Sequence, residues 1–188
     1  MSHSADRNRI EAPASRLPIV GVMGSGSNPH HHRATTLGEW LGTQPVHLLT
    51  GGGGGVMESV CAAFASVDDR VGRIIGVLPG GIRDGNYRPL PGYPNQWIEI
   101  PIRTHLPLSG MQGTDLASRN HINVLTPNVI VALPGGHGTA SETKLALLYD
   151  TPLVAYLSSR EDIPELPPAI YVEPVFERVQ SFVEMHIR

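Results

Sequence analysis

The stretch LPGGHGTASE, residues 133–142, decides how the rest of this chain is interpreted. It follows an apolar run at residues 129–133, which predicts a buried β-strand, and it leads into a helical pattern at residues 143–149. A strand, a glycine-rich turn and a helix start in direct succession form an anion site. The reason is that the first N–H groups of a helix lack internal partners and carry the positive end of the helix dipole. The stretch therefore predicts that a phosphate group binds at this turn.

Two other glycine-rich turns follow predicted strands nearer the N-terminus. The apolar run at residues 19–23 ends in GSGSNP, residues 24–29, where Asn28 predicts the start of a helix. The run at residues 46–50 ends in five consecutive glycines, residues 51–55. Five glycines in succession are entropically costly, so we interpret them as backbone that must pass close to a ligand.

The order of the predicted elements indicates an α/β fold. Further strand candidates at residues 73–78, 97–102 and 152–157 alternate with helical patterns. An irregular loop is predicted at residues 84–95, and a last helix at residues 175–186. Such alternation predicts a parallel sheet flanked by helices in a single domain. Ligands bind beyond the carboxyl ends of such strands, so we expect the three glycine-rich turns to converge on one site.

Composition and charge bound the possible functions. At 188 residues and 40% hydrophobic content, the chain fits one folded domain, which we place at residues 18–188 after a flexible leader at residues 1–17. The net charge of −3 gives no reason to expect binding to nucleic acid or to an acidic membrane. The single cysteine, Cys61, excludes an internal disulfide. The chain shows neither a signal peptide nor a membrane-spanning run, so we expect a cytoplasmic protein.

The glycine-rich motifs resemble those of a known family. LPGGHGTASE matches the PGGxGTxxE signature of the LOG (LONELY GUY) family, whose members have long carried the label "possible lysine decarboxylase". The segments at residues 20–27, 48–58, 74–79 and 118–136 resemble other family segments in the same order. The resemblance implies a Rossmann-like, doubly wound parallel sheet and assembly into a homodimer or a larger homo-oligomer. It also implies a phosphoribohydrolase, which cleaves the N-glycosidic bond of a nucleoside 5′-monophosphate, AMP or a cytokinin riboside monophosphate, to free base and ribose 5-phosphate.

The resemblance also assigns roles to residues of this chain. Arg119 and Glu142 fall on the family's catalytic arginine and glutamate. The expected contacts to the phosphate and ribose fall on Gly24, Ser25, Gly52, Gly53, Gly54, Gly55, Gly135, Gly136, Gly138 and Thr139. A carboxylate can stabilise an oxocarbenium-like sugar and activate water, and an arginine can hold a phosphate bidentately. This hydrolysis requires no metal and no cofactor.

Other interpretations of the two catalytic candidates remain open. Thr139 and Glu142 have the spacing of a capping box, in which both side chains only satisfy backbone N–H groups at the start of a helix. Arg119 follows Asp115 by four residues, so the two can form an exposed ion pair on a helix. From the sequence, Arg119 and Glu142 can therefore each be either a catalytic residue or a residue that only stabilises its helix.

Departures from the family pattern leave a second function open. Asn120 stands where the family has a lysine, and Ser141 stands where it has an acidic residue. In these respects the chain is also similar to a related branch of LOG-like proteins that includes molybdenum-cofactor carriers, which act by binding. A non-catalytic protein that binds a nucleotide or a phosphorylated pterin is therefore the alternative.

Lysine and histidine usage argues against other chemistries. Lys144 is the only lysine and follows no P-loop pattern, so we expect neither a pyridoxal enzyme nor a P-loop NTPase. The consecutive residues His30, His31 and His32 point in different directions on a helix. The chain also lacks a paired-cysteine or HExxH pattern, so we expect no metal site.

Overall fold

A parallel β-sheet of seven strands forms the centre of the computed structural model, which describes residues 16–187. Its strands are β1 (Ile19–Met23), β2 (His47–Thr50), β3 (Ile74–Leu78), β6 (Ile100–Arg103), β7 (Val129–Ala132), β8 (Leu153–Ala155) and β9 (Tyr171–Val172). A separate antiparallel hairpin consists of β4 (Gly80–Arg83) and β5 (Asn86–Pro89). The helices of the described range are α1 (His31–Thr43), α2 (Val56–Ala65), α3 (Asn120–Leu125), α4 (His137–Leu148) and α5 (Phe176–His186). Residues 1–15, which make up most of the expected leader, lie outside that range.

The strand order explains why the glycine-rich turns meet at one place. The sheet runs β6-β3-β2-β1-β7-β8-β9, with all neighbours parallel. The chain winds outward from β1 in one direction, then returns and winds outward from β7 in the other. The order therefore reverses between β1 and β7, and the turns after β1, β2 and β7 emerge side by side. The predicted doubly wound, Rossmann-like fold is confirmed.

Both faces of the sheet are covered, because the strand side chains alternate between two apolar cores. On one face, Val20 and Val22 of β1 pack in a core with residues of α1, α2 and α5. On the other face, Met23 of β1 and Ile130 of β7 pack in a core with residues of α3 and α4. Continuous apolar runs of this kind are expected for a parallel sheet that is buried on both sides.

The segment between β3 and β6 is more ordered than the sequence predicts. The predicted loop at residues 84–95 contains β5, which pairs with β4 across a turn at Asp84 and Gly85. Both turn residues have positive φ, 51° and 74°, as in tight Asp-Gly hairpins. The next strand begins only at Ile100, because the side chain of Asn95 accepts a hydrogen bond from the N–H of Trp97 (3.0 Å) and holds a turn there.

Two helix starts also differ from prediction. α1 begins at His31, and the residue before it, His30, is left-handed with φ 42°. The side chain of Asn28 accepts a hydrogen bond from the N–H of His30 (3.2 Å), so it acts before the helix rather than as its cap. α3 begins at Asn120, which leaves Asp115 outside the helix. Between residues 16 and 187, no helix is long and apolar enough to cross a membrane.

Candidate functional site

A cavity of about 320 Å³ opens at the carboxyl ends of β1 and β7, where the strand order reverses. The residues of the predicted site that line this central cavity are Gly24, Ser25, Arg119, Gly136, Gly138, Thr139 and Glu142. Small-molecule sites in proteins usually enclose roughly 300–1,000 Å³. The structure therefore brings two of the three turns together with both catalytic candidates, around a space that suits a small ligand.

Backbone hydrogen bonds join the three turns beside the central cavity. The N–H of Ser25 donates to the carbonyl of Pro134 (3.0 Å), which belongs to the turn after β7. The carbonyl of Ser25 accepts from the N–H of Val56 (2.8 Å), at the start of α2. Gly135 lies outside the cavity lining, and a Cβ atom there would collide with Oγ1 of Thr139. The same Cβ atom would lie 3.0 Å from the backbone nitrogen of Ser25, so Gly135 also allows the turns after β1 and β7 to pack closely.

The five-glycine run makes room for residues that line the cavity. Four glycines of the predicted site do not line the central cavity: Gly52, Gly53, Gly54 and Gly55. A Cβ atom at Gly51 would lie 2.7 Å from Nη2 of Arg119, and one at Gly53 would lie 2.8 Å from the ring of Tyr93. Gly55 has φ 61°, and its Cβ atom would collide with the backbone of the turn after β1. The glycines thus allow Arg119, Tyr93 and the turn after β1 to approach the backbone of this run closely. These groups in turn form the cavity wall.

Arg119 is a buried cation with unused hydrogen-bond donors in the described part of the chain. The residue is 4% exposed, and its Nε and Nη1 atoms have no hydrogen-bond partner among residues 16–187. The alternative of an exposed ion pair with Asp115 is wrong, because Asp115 precedes α3 and its Oδ1 accepts from the N–H of Ala117 (2.8 Å). The guanidinium instead lies 5.6 Å from the centre of the Tyr93 ring. Because a buried charge without a partner is costly, this geometry favours a bound anion beside Arg119.

Glu142 lies beyond the first turn of α4. Gly136 is the N-cap of this helix and no side chain caps it, so the capping box expected from Thr139 and Glu142 does not form. Oε1 of Glu142 instead accepts a hydrogen bond from Nδ2 of Asn123 (2.8 Å). Burial raises the pKa of Glu142 above its ordinary value, although the charge of Arg119 and the Asn123 hydrogen bond act to lower it. The residue is 8% exposed, and it lines the central cavity with a carboxyl whose pKa is raised.

The central cavity also contains polar groups that the sequence did not assign to it. Asn120 lines the cavity, and its Nδ2 atom is buried without a hydrogen-bond partner in the described chain. Tyr93 comes from the segment before β6, where no periodic pattern signals a site. Ser141 donates from Oγ to the carbonyl of Gly110 (2.9 Å) and so holds the loop before α3 against α4. Asn120 and Tyr93 thus add polar groups to the cavity wall, whereas Ser141 does not line the cavity.

Histidine and cysteine residues contribute no metal centre in the part of the chain that the structure describes. Within residues 16–187, no group of three or more His, Cys, Asp or Glu side chains is arranged to hold a metal ion. His31 and His32 are exposed at the start of α1. Cys61 lies in the apolar core, and burial raises the pKa of its thiol to about 12. A thiol of this kind behaves as a core side chain rather than as a nucleophile.

The fold and the site can be compared with known proteins. The molybdenum cofactor binding protein from the phototrophic bacterium Rippkaea orientalis is 28% identical, with a TM-score of 0.71 over 93% of this chain and 100% of that one. The Moco carrier protein from Chlamydomonas reinhardtii is 29% identical, with a TM-score of 0.65 over 90% of this chain and 99% of that one. A third solved protein, TM1055, shares 19% identity at a TM-score of 0.66 and is similar in fold.

Sequence comparison gives the family. No curated protein matches the chain. The profile of the SLOG cluster4 family matches residues 17–172, a span that runs from the residues just before β1 to the end of β9. This span includes all three glycine-rich turns as well as Arg119 and Glu142. The chain therefore belongs to the SLOG cluster4 family, in the LOG-related branch that includes molybdenum-cofactor carriers.

Proposed function

We propose that this protein binds a phosphorylated pterin, the molybdenum cofactor, in the central cavity and carries it without chemical turnover. The observation that supports this most directly is Arg119, a buried guanidinium with two unpartnered nitrogen atoms in the cavity wall. Two proteins that bind or carry this cofactor are similar to the chain over at least 90% of its length.

The groups around the central cavity suit the parts of such a ligand. The start of α4 has no side-chain cap, so its N–H groups and Arg119 can hold a phosphate together. The ring of Tyr93 offers a planar surface for a pterin ring. The unpartnered Nδ2 atom of Asn120 offers a hydrogen-bond donor for the ring oxygen or nitrogen atoms. Different groups of the cavity would therefore bind the phosphate and the pterin ring.

Binding without turnover agrees with the environment of Glu142. Burial raises the pKa of this carboxyl and so favours its neutral form. A carboxyl whose ionised form is disfavoured is less able to stabilise a positive charge on ribose. Asn120 and Ser141, where the LOG pattern has a lysine and an acidic residue, supply no charge, and Ser141 is already used in holding a loop. The cavity is therefore better equipped to hold a ligand than to cleave it.

Co-elution tests the carrier proposal. Molybdenum cofactor is released anaerobically from a molybdenum enzyme and mixed with the purified protein, and the pterin that co-elutes in gel filtration is measured by fluorescence after oxidation. We expect co-elution with the wild-type protein. Arg119→Gln should lower the affinity about tenfold or more, because a hydrogen bond to a charged group contributes about 1.5–3 kcal/mol. Arg83→Gln is the matched control, since Arg83 is exposed on the hairpin and does not line the cavity. A wild-type protein that retains no pterin would refute the proposal.

A specific observation favours phosphoribohydrolase activity as a second candidate. Arg119 and Glu142 line the same cavity, and Glu142 is not used in a helix cap. Once ionised, Glu142 would stabilise positive charge on ribose and orient water while Arg119 holds the 5′-phosphate. Chromatography after incubation with AMP, and with a cytokinin riboside monophosphate, measures the release of free base. Base release that Glu142→Gln abolishes would establish the hydrolase in place of the carrier.

Self-association is a further part of the proposal, as a homodimer or a larger homo-oligomer. Three leucines around α3 and α4 are strongly exposed, Leu116 by 89%, Leu148 by 68% and Leu125 by 58%. A hydrogen bond between Nδ1 of His121 and the hydroxyl of Tyr149 (2.6 Å) joins the segments that carry them. Clusters of exposed apolar side chains are typical of protein interfaces.

The cytoplasm is our proposed compartment. Cys61 is the only cysteine of the chain and is a buried free thiol, which suits a reducing environment. Cell fractionation with an antibody against the protein tests this placement.

A further inference from the structure

A second cavity, of about 580 Å³, lies between the β4–β5 hairpin and the edge strand β6. We call it the arginine cavity, because Arg88 of β5 and Arg103 of β6 both line it. Leu78, which lies opposite Arg103 in the sheet register, contributes an apolar wall. The arginine cavity therefore forms where the hairpin meets the last strand of the sheet.

The charged groups of the arginine cavity are all positive. No Asp or Glu lines it, and neither arginine forms an ion pair with a carboxylate among residues 16–187. The guanidinium of Arg103 lies 5.7 Å from the centre of the Tyr87 ring, which limits the directions that it can take. Both arginines are exposed to solvent and no carboxylate of the described residues neutralises them, so an oxyanion that enters the cavity is attracted by both charges.

An unused hydrogen-bond donor lies in the same place. Tyr87 lines the arginine cavity, and its hydroxyl is buried without a hydrogen-bond partner in the described chain. The ring is held against Gly80, where a Cβ atom would lie 2.6 Å from Cε2 of Tyr87. Burying a hydroxyl without a partner is costly, and a bound oxygen acceptor would recover that cost. The lining of the arginine cavity thus includes two arginines without a carboxylate partner in the described chain and a tyrosine whose hydroxyl has no acceptor there.

The arginine cavity is distinct from the central cavity, although one segment contributes to both. Tyr93 lines the central cavity and Pro94 lines the arginine cavity. The two cavities have no lining residue in common, and Arg119 belongs to the central cavity alone. An anion held by Arg88 and Arg103 would therefore occupy a separate site.

We infer that the arginine cavity is a second binding site, which takes a phosphate-class oxyanion held by both guanidinium groups. Inorganic phosphate and the terminal phosphate of a nucleotide both present this tetrahedral group. The two cavities share no lining residue, so the inference is independent of what the central cavity binds.

Nuclear magnetic resonance on the full-length protein tests this inference. Inorganic phosphate is titrated at constant ionic strength into protein with isotope-labelled arginines, and the Nε–H signals of Arg88 and Arg103 are followed. We expect both signals to shift along one saturable curve. Arg88→Ala or Arg103→Ala should weaken phosphate binding, observed at the remaining arginine, by about tenfold, because each removes a charge-assisted hydrogen bond. Tyr87→Phe should weaken it by about threefold, since it removes a neutral donor.

Two control variants and a second probe sharpen the test. Arg83→Ala removes an arginine of the same hairpin that does not line the cavity, so the affinity should stay within about twofold. Arg119→Gln alters only the central cavity, so the signals of Arg88 and Arg103 should respond as in the wild type. A nucleoside 5′-diphosphate that binds more tightly than inorganic phosphate would identify a nucleotide as the ligand, and weaker binding would identify free phosphate. Signals that do not saturate, a loss with Arg83→Ala equal to that with Arg88→Ala, or a response abolished by Arg119→Gln would overturn the inference.

Discussion

Arg119 should affect stability and binding in opposite directions. Its Nε and Nη1 atoms are buried without partners in the described chain, so the guanidinium destabilises the fold unless an anion binds beside it. We expect Arg119→Met to raise the free energy of unfolding by about 1 kcal/mol, because it replaces a buried charge that lacks hydrogen-bond acceptors in the described chain by an apolar side chain of similar length. The same variant should lose affinity for the pterin phosphate. Urea denaturation without ligand measures the first effect, and the co-elution assay measures the second.

Arg33 is a matched control for this prediction. Its Nε donates to the carbonyl of Tyr156 (3.2 Å), and its Nη2 donates to Oγ of Ser158 (2.8 Å). Arg33→Met should therefore lower the free energy of unfolding by about 1 kcal/mol, because hydrogen bonds are lost. An equal loss of stability in Arg119→Met would contradict the interpretation of Arg119 as a buried cation with unused hydrogen-bond donors in the described chain.

Glu142 should make stability depend on pH. Its folded pKa is raised above the ordinary value of 4.5, so above pH 4.5 the unfolded chain releases a proton that the folded chain keeps. The stabilising contribution of protonated Glu142 is complete below that pH and is lost as the pH rises through the folded pKa. Glu142→Gln stays neutral, and its Oε1 can still accept from Asn123. As the pH rises above 4.5, the wild type should lose this contribution to its free energy of unfolding, whereas Glu142→Gln should not. The variant should therefore become more stable relative to the wild type at higher pH. Urea denaturation at a series of pH values measures this difference.

Glu99 gives the opposite sign and serves as the control. The hydrogen bond from Arg70 lowers the pKa of Glu99, so its ionised form stabilises the fold above the ordinary pKa and this contribution is lost on acidification. Glu99→Gln should therefore lose stability relative to the wild type at neutral pH and approach it in acid. A pH-independent difference for Glu142→Gln would show that its carboxyl ionises equally in both states.

Single-residue chemistry was only partly predictable from the sequence. The motif placed Arg119 and Glu142 in one site, and the structure brings both to the central cavity. The alternative of a capping box at Thr139 and Glu142, which rests on spacing alone, is wrong, because Gly136 rather than Thr139 is the N-cap of α4. The partner of Glu142 is Asn123 of a different helix, nineteen residues earlier in the chain. Such a contact depends on how two helices pack, which a local pattern does not contain.

At the scale of elements, the turn after β2 should tolerate a methyl group at one glycine and not at the next. Gly55 has φ 61°, and a Cβ atom there would collide with the carbonyl of Ser25. Gly54 has one neighbour near its Cβ position, the carbonyl of Gly26 at 3.3 Å. We expect Gly55→Ala to lower the free energy of unfolding by about 2 kcal/mol or more, because it combines backbone strain with a backbone collision. Gly54→Ala should change it by less than about 0.5 kcal/mol. Urea denaturation of both variants decides, and equal effects would contradict the assigned geometry.

Elements were predicted best where a strand is buried on both faces. The apolar runs that became β1, β2, β3, β7 and β8 overlap their predicted positions, since continuous burial leaves a continuous apolar signal. The β4–β5 hairpin was missed because it lies outside the main sheet, and its residues do not alternate clearly. β9 was missed because it has two residues, too few for a period to show. A strand is therefore easier to predict from sequence when its side chains are buried than when it is defined only by its hydrogen bonds.

At the scale of the whole molecule, the exposed leucines around α3 and α4 predict an interface. Leu148→Glu should convert an oligomer to a smaller species, because a carboxylate buried between apolar surfaces is costly. Light scattering coupled to gel filtration measures the mass of each species. Met185→Glu is the control, because Met185 is 65% exposed but lies on α5, away from α3 and α4 in the other apolar core layer. A monomeric wild type, or equal dissociation with both variants, would contradict the interface.

Topology carried the most reliable prediction at this scale. The alternation of strands and helices implied that the ligand turns would meet, and the turns after β1, β2 and β7 do meet where the strand order reverses. The arginine cavity could not be foreseen in the same way, because it depends on the hairpin and on where β6 begins. Sheet order follows from general rules of chain connection, whereas cavities at the sheet edge follow from individual loops.

The hydrogen bonds through Ser25 have a consequence for how this architecture diversifies. The N–H of Ser25 donates to the carbonyl of Pro134, and the N–H of Val56 donates to the carbonyl of Ser25, so main-chain atoms make these links between the turns. Side chains around them, such as Asn120 and Tyr93, are not needed for these links. Side chains that line the cavity can therefore be exchanged while the linked backbone of the turns is kept, which allows one scaffold to bind different ligands.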